Sequence, residues 1–143
     1  MLSRFMPKTT EVFIMKEFTQ KLTATAEVTV GAENTAAAVG SGSLDVFATP
    51  MMLALMEKAT CAACAELLED GETTVGTSVS ITHDKASATG TKITACAELE
   101  EVDGRKLVFS VSAQDDKGDT IGKGTVERFV VLSDKFMKRV NGK

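Results

Sequence analysis

Residues 51–68 constrain the fold more than any other stretch of this chain. Met51, Met52, Leu53, Leu55, Met56, Ala59, Ala62, Ala63, Leu67 and Leu68 put apolar side chains on nearly every side of a helix. Such a helix has to be covered all round rather than lie on a surface. Its start is marked by Thr49, a favoured N-cap, and by Pro50 at the first helical position, where a missing N–H costs nothing. Gly71 marks its end. Covering this helix falls to strands. Residues 22–30 alternate apolar and polar positions with β-branched side chains, and residues 73–83, 91–100, 105–114 and 120–132 form four more strand-like segments. Asp103-Gly104 and Asp115-Asp116-Lys117-Gly118 read as hairpin turns, and 31–43 as a loop that is most flexible at Gly40-Ser41-Gly42-Ser43.

The order strand, helix, four strands contains no β-α alternation and no repeat. It predicts an α+β domain over residues 19–143, an antiparallel sheet of about five strands wrapped around one long buried helix. Residues 1–18, with Pro7 and the mixed run Glu11-Val12-Phe13-Ile14-Met15, read as an extended lead-in or tail. One sheet cannot enclose a helix that is apolar all round, so a second subunit is expected to complete the cover, giving a homodimer.

Composition excludes several classes of partner. No apolar run approaches the roughly 18 residues needed to cross a bilayer, and Met1-Leu2-Ser3-Arg4 leads into no signal-type apolar core, so no membrane role is expected. Three cysteines, an odd number, fit free thiols in a reducing, cytoplasmic compartment. A net charge of −4 and the absence of Trp and Tyr argue against nucleic acid, which needs clustered cations and stacking surfaces.

Three residues could carry chemistry. Glu57 lies inside the apolar helix, where a buried carboxylate persists when it is paired or when its altered acidity is used; at a helix edge beside Lys58 it would simply be solvated. His83 is the only histidine. Counting back by two gives Ile81, Val79, Thr77 and Val75, which aims the imidazole at the helix, either as an acid/base group or as a hydrogen-bonded core histidine. Thr49 offers a hydroxyl where helix N–H groups converge, a place for an oxyanion, or merely a cap. Thr49 and Glu57 would be separated by about 12 Å of helix rise. A shared site therefore needs Thr49 to fold back, His83 to bridge, or two subunits to contribute. Cys61-Ala62-Ala63-Cys64 lacks a second pair for zinc and reads as core packing, and Met51, Met52 and Met56 read as core or pocket lining, so neither metal nor cofactor is expected. Gly122 and Gly124 within a strand suggest a bulge or the close approach of another group, substrate included.

Taken together, Val46-Phe47-Ala48-Thr49, Leu55-Met56-Glu57, Gly76-Thr77, Thr82-His83 and Gly122-Lys123-Gly124-Thr125-Val126-Glu127-Arg128 resemble the fluoroacetyl-CoA thioesterase group of the hot-dog superfamily. The resemblance spans residues 44–137 and keeps the threonine-to-glutamate and glutamate-to-histidine spacings. It implies a helix wrapped by an antiparallel sheet, a homodimer with active sites at the subunit interface, and metal-free hydrolysis of an acyl-CoA. It places the family's catalytic residues on Thr49, Glu57 and His83 and its substrate-contacting residues on Gly76 and Arg128, the last with one extra residue in the turn near Lys117. Gly40 to Ser43 stand where the fluoroacetyl-specific member carries an aromatic, proline-containing segment over the acyl pocket, and Glu57 is followed by Lys58 rather than an aromatic residue. What carries over is therefore thioester chemistry on a small acyl-CoA rather than fluoroacetyl specificity. Hot-dog domains also serve as noncatalytic acyl-CoA binders and as hydratases, and the lone His83 does not fit the short Asp/His pattern of the latter.

Overall fold

A computed structural model describes residues 21–142, so the lead-in expected over residues 1–18 lies outside the described residues. The elements are β1 (Thr23–Thr29), α1 (Ala36–Val39), α2 (Thr49–Cys64), β2 (Glu72–His83), β3 (Lys92–Asp103), β4 (Lys106–Gln114), β5 (Thr120–Leu132) and α3 (Ser133–Val140). The five strands form one sheet in the order β1-β3-β4-β5-β2, with each neighbouring pair antiparallel. This is the α+β layout predicted from the sequence, and β2 ends up as an edge strand.

Alternation drives the packing. On β4, Leu107, Phe109, Val111 and Ala113 are buried while Ser110 and Gln114 are exposed, as period-2 geometry requires. These side chains meet Met52, Leu55, Met56, Ala59 and Ala63 of α2 and Ile93, Leu99, Ile121, Val126 and Val130 of the sheet in a single core. The β3–β4 turn consists of Gly104 and Arg105, because Asp103 pairs with Lys106. Gly104 has φ +63°, the sign a type II′ turn needs at its first central position. In the next turn, Asp115 Oδ1 accepts from the N–H groups of Lys117 and Asp119, both at 3.0 Å.

The helix departs from expectation in three ways. Its cap is Ala48, extended at φ −74° and ψ 138°, whose carbonyl accepts from the N–H groups of Met51 and Met52 at 3.0 and 2.9 Å. Thr49 is thus the first helical residue rather than the cap, and its hydroxyl is left for another partner. The α-helix also stops at Cys64 and tightens into a 3₁₀ turn over Ala65–Leu67, so Gly71, at φ +86°, shapes the turn into β2 instead. Finally, cover is incomplete: Ala54, Lys58, Cys61 and Ala62 form an exposed strip of small and charged residues. Cys64 and Met52 are core residues as expected, but Cys61 is solvent-exposed. Within the expected loop, Thr35 accepts from Ala38 N at 3.2 Å and nucleates the one-turn α1, which Gly40 ends at φ +78°.

Candidate active site

β2 lies along α2 in the opposite direction, and a bulge in it decides what faces the helix. Gly76 pairs with Arg128 and Ser78 with Glu127, so Thr77 is an extra residue. Before the bulge Thr74 and Gly76 stand opposite the buried Val130 and Arg128; after it Val79 and His83 stand opposite the buried Val126 and Gly122. The inward set therefore changes parity at Thr77. Val75, expected on the same face as His83, lies on the opposite face, whereas Gly76 and His83 share one.

At the end of β2, His83 Nδ1 lies 2.7 Å from Thr49 Oγ1. Burial holds the His83 pKa below its ordinary value, opposed by the charge of Asp84 and by a backbone contact at Lys85. A neutral imidazole whose Nδ1 accepts the threonine proton can act as a base. Its Nε2 is buried and has no hydrogen-bond partner among the described residues. The strand end is clamped: Asp84 and Lys85 both donate from their backbone N–H groups to Ile121 O, at 2.7 and 3.2 Å, and Lys85 Nζ bonds Asp115 Oδ2 and Asp119 Oδ2, each at 2.7 Å. Two carboxylates raise the Lys85 pKa well above the usual lysine value. Thr49 and His83 open onto a cavity of about 390 Å³ bordered by Ser41, Gly42, Leu44 and Phe47.

Eight residues along α2, Glu57 forms a second cluster. Arg128 NH1 donates to Glu57 Oε2 at 3.0 Å, while its Nε donates to Thr74 Oγ1 at 2.9 Å and its NH2 to Thr74 O at 3.2 Å. Arg128 is buried and Glu57 about a third exposed, with side-chain accessibilities of 8% and 34%. Gly76 roofs this pair: a Cβ there would sit 2.6 Å from Glu57 Oε2 and 3.3 Å from Arg128 NH1. Glu57 is accordingly a paired carboxylate, and its partner, 71 positions away in sequence, is one that no local pattern announces.

Within the protomer, then, the structure brings Thr49 to His83 and Glu57 to Gly76 and Arg128, but leaves the two clusters about 12 Å apart along the helix. Thr49 does not fold back, and no hydrogen bond among the described residues joins Glu57 to His83. Gly122 and Gly124 admit the chain itself: a Cβ on Gly122 would lie 2.5 Å from Thr82 O and 2.7 Å from Met52 Cε, and one on Gly124 would collide with Ser80 O. Among the described residues, no three His, Cys, Asp or Glu side chains are grouped to hold a metal. Sequence reasoning missed Thr74, Lys85 and Leu44, none of which lies in a motif.

A sequence profile described as fluoroacetyl-CoA-specific thioesterase matches residues 30–134. The fluoroacetyl-CoA thioesterase of Streptantibioticus cattleyicolor is 46% identical over 99 residues, 69% of this chain and 70% of that protein. A solved structure of a fluoroacetyl-CoA thioesterase superposes with a TM-score of 0.81 at 36% identity, covering 90% of this chain and 98% of the other. A thioesterase superfamily member from Thermus thermophilus gives a TM-score of 0.81 at 26% identity over 90% and 96% of the two chains. A hot-dog-like protein from Thermanaerovibrio acidaminovorans, at 24% identity and a TM-score of 0.74 over 82% and 87%, shares the fold. The fold is the hot dog, and the chain belongs to the fluoroacetyl-CoA-specific thioesterase family.

Proposed function

We propose that this protein hydrolyses an acyl-CoA thioester to the free acid and CoA, with Thr49, His83 and Glu57 as its catalytic residues. The observation that carries this reading is the 2.7 Å contact between Thr49 Oγ1 and His83 Nδ1 at the mouth of a cavity. A hydroxyl that close to a neutral imidazole is an activated nucleophile. His83 takes the Thr49 proton as Oγ1 attacks the thioester carbonyl, and the N–H of Gly76 holds the oxyanion, since at the start of α2 Pro50 has no N–H and those of Met51 and Met52 are taken by Ala48 O. The C–S bond then breaks, the CoA sulfur takes the proton from His83, and water, activated by the same imidazole, releases the acid from Thr49. In the direct variant His83 and Glu57 activate water and Thr49 positions it. Arg128 holds the Glu57 carboxylate, and with Gly76 it frames the substrate contact.

The two clusters become one site if a second copy contributes. β2 is a twelve-residue edge strand, Glu72–His83, whose outer edge has no strand partner among the described residues. Antiparallel pairing with the same strand of a second copy sets the Gly76–Glu57 end of one protomer beside the Thr49–His83 end of the other. That supports a homodimer with shared sites more directly than the helix does, since the strip α2 exposes is not a hydrophobic face. A cytoplasmic location is supported by the exposed, unbridged thiols of Cys61 and Cys96.

The test is thiol release from a panel of acyl-CoAs by the wild type, Thr49→Ala and His83→Ala, with light scattering on each. Turnover lost by about 100-fold or more in His83→Ala, in a dimer, is the expected result. Binding of acyl-CoA without turnover in the wild type would replace hydrolysis with a noncatalytic acyl-CoA-binding role.

A further inference from the structure

The cavity beside Thr49 and His83 is an open cleft with a distinct charge and lining. At about 390 Å³ it far exceeds an acetyl group. At roughly 30 Å³ per water-sized atom it has room for on the order of ten heavy atoms. Ala36 and Phe47, both buried, form its apolar wall, and Val46 continues it. At the mouth stands Leu44, a leucine left 67% exposed. Its position is fixed through the backbone: Ala37 N donates to Leu44 O at 3.0 Å and Ala36 N to Val46 O at 2.8 Å, which ties the Gly42–Ser43 loop to α1.

Charge narrows the choice further. Lys85 is the one cation lining the cavity among the described residues, and both of its close partners are carboxylates, Asp115 and Asp119. Asp84, the other charged lining residue, is anionic, and its Oδ2 accepts from Thr82 Oγ1 at 2.9 Å. No uncommitted positive charge is therefore available for a second carboxylate on the acyl group, and Asp84 would repel one.

We propose that the cavity takes an uncharged, apolar acyl chain of medium length, on the order of four to eight carbons, and that Leu44 is a specificity-determining residue closing over it. This rests on the assignment of Thr49 and His83 to thioester hydrolysis. An apolar chain that fills the cavity covers the exposed Leu44 and removes its surface and the chain's own from water, whereas an acetyl group does not reach Leu44.

The experiment compares kcat/KM for acetyl-, butanoyl-, hexanoyl-, octanoyl- and succinyl-CoA in the wild type and in Leu44→Ala. In the wild type, hexanoyl-CoA should exceed both acetyl- and succinyl-CoA by about tenfold or more, since each buried methylene contributes to discrimination. In Leu44→Ala the hexanoyl-to-acetyl ratio should fall by about fivefold or more. Turnover led by acetyl- or succinyl-CoA, or a ratio unmoved by Leu44→Ala, overturns this inference while leaving hydrolysis intact. Failure to turn over any of the five would instead remove the hydrolase reading, and this inference with it.

Discussion

Gly76 and His83 are seven positions apart along β2 yet face the same side of the sheet, because Thr77 bulges out between them. A regular strand would send one of them to the opposite face. The bulge thus lets a single strand roof Glu57 with a glycine at one end and set an imidazole against Thr49 at the other.

Deleting Thr77 should leave both on that side. Ser78 then follows Gly76 opposite the consecutive Arg128 and Glu127, and His83 keeps Gly122 as its partner, so the even spacing of a regular strand takes over what the bulge does. Thioesterase activity should stay within about tenfold of wild type, well short of the roughly 100-fold loss of a positioned base. Far-UV circular dichroism should still report the sheet, because the pairs between β3 and β4 and between β4 and β5 do not involve this residue. A loss of about 100-fold or more would show that the bulge itself, rather than the pairing with β5, positions His83.

Glu57→Gln should lower stability, although the two side chains are nearly isosteric. The buried Arg128 loses the anion that compensates it, while keeping Thr74 Oγ1 and Thr74 O as partners. Removing one member of a buried pair costs about 3–5 kcal/mol. Because Glu57 is about a third exposed, water screens part of this and about 1–2 kcal/mol is expected. Thermal melts should show a Tm several degrees lower; an unchanged or higher Tm would mean that the pair contributes nothing to folding.

The acidity of His83 sets a pH dependence of known sign. Burial lowers its folded pKa from the ordinary 6.5, so between the two values the unfolded chain binds more protons than the folded one. Stability from this group is full above the unfolded pKa and declines as pH falls through 6.5 toward the folded value. Activity that needs the neutral imidazole should rise with pH to a plateau, with its midpoint below 6.5. A kcat/KM profile with its midpoint above 6.5 would contradict the burial of the ring.

How far the sequence reached depends on whether the determinant was local. Period-2 alternation located all five strands to within a few residues, and Pro50 located the helix start, because these signals lie within a few residues of what they specify. Parity along β2 was misread because the bulge is fixed by pairing with β5 rather than by any residue type at Thr77. The Arg128–Glu57 bond joins residues 71 positions apart and left no mark in the spacing of either segment. The cap was assigned one residue late because Ala48, whose side chain cannot cap, serves through its extended backbone alone.

That displaced cap gives a test of Thr49. Its hydroxyl does not cap α2, since the carbonyl of Ala48 accepts the first helical bonds and Thr49 Oγ1 is engaged by His83 instead. A capping threonine replaced by alanine costs about 1 kcal/mol. Thr49→Ala should cost clearly less, leaving the Tm within a degree or two of wild type on the order-of-magnitude conversion for a domain of this size. The catalytic effect should be the reverse. Nucleophile and base act as a unit, so Thr49→Ala should lower kcat about as far as His83→Ala, and the double variant should be little worse than either. Multiplying losses in the double variant would assign the attack to water, with Thr49 only positioning it. A large loss of stability in Thr49→Ala with kcat preserved would return the residue to a structural role and leave His83 without a nucleophile to activate.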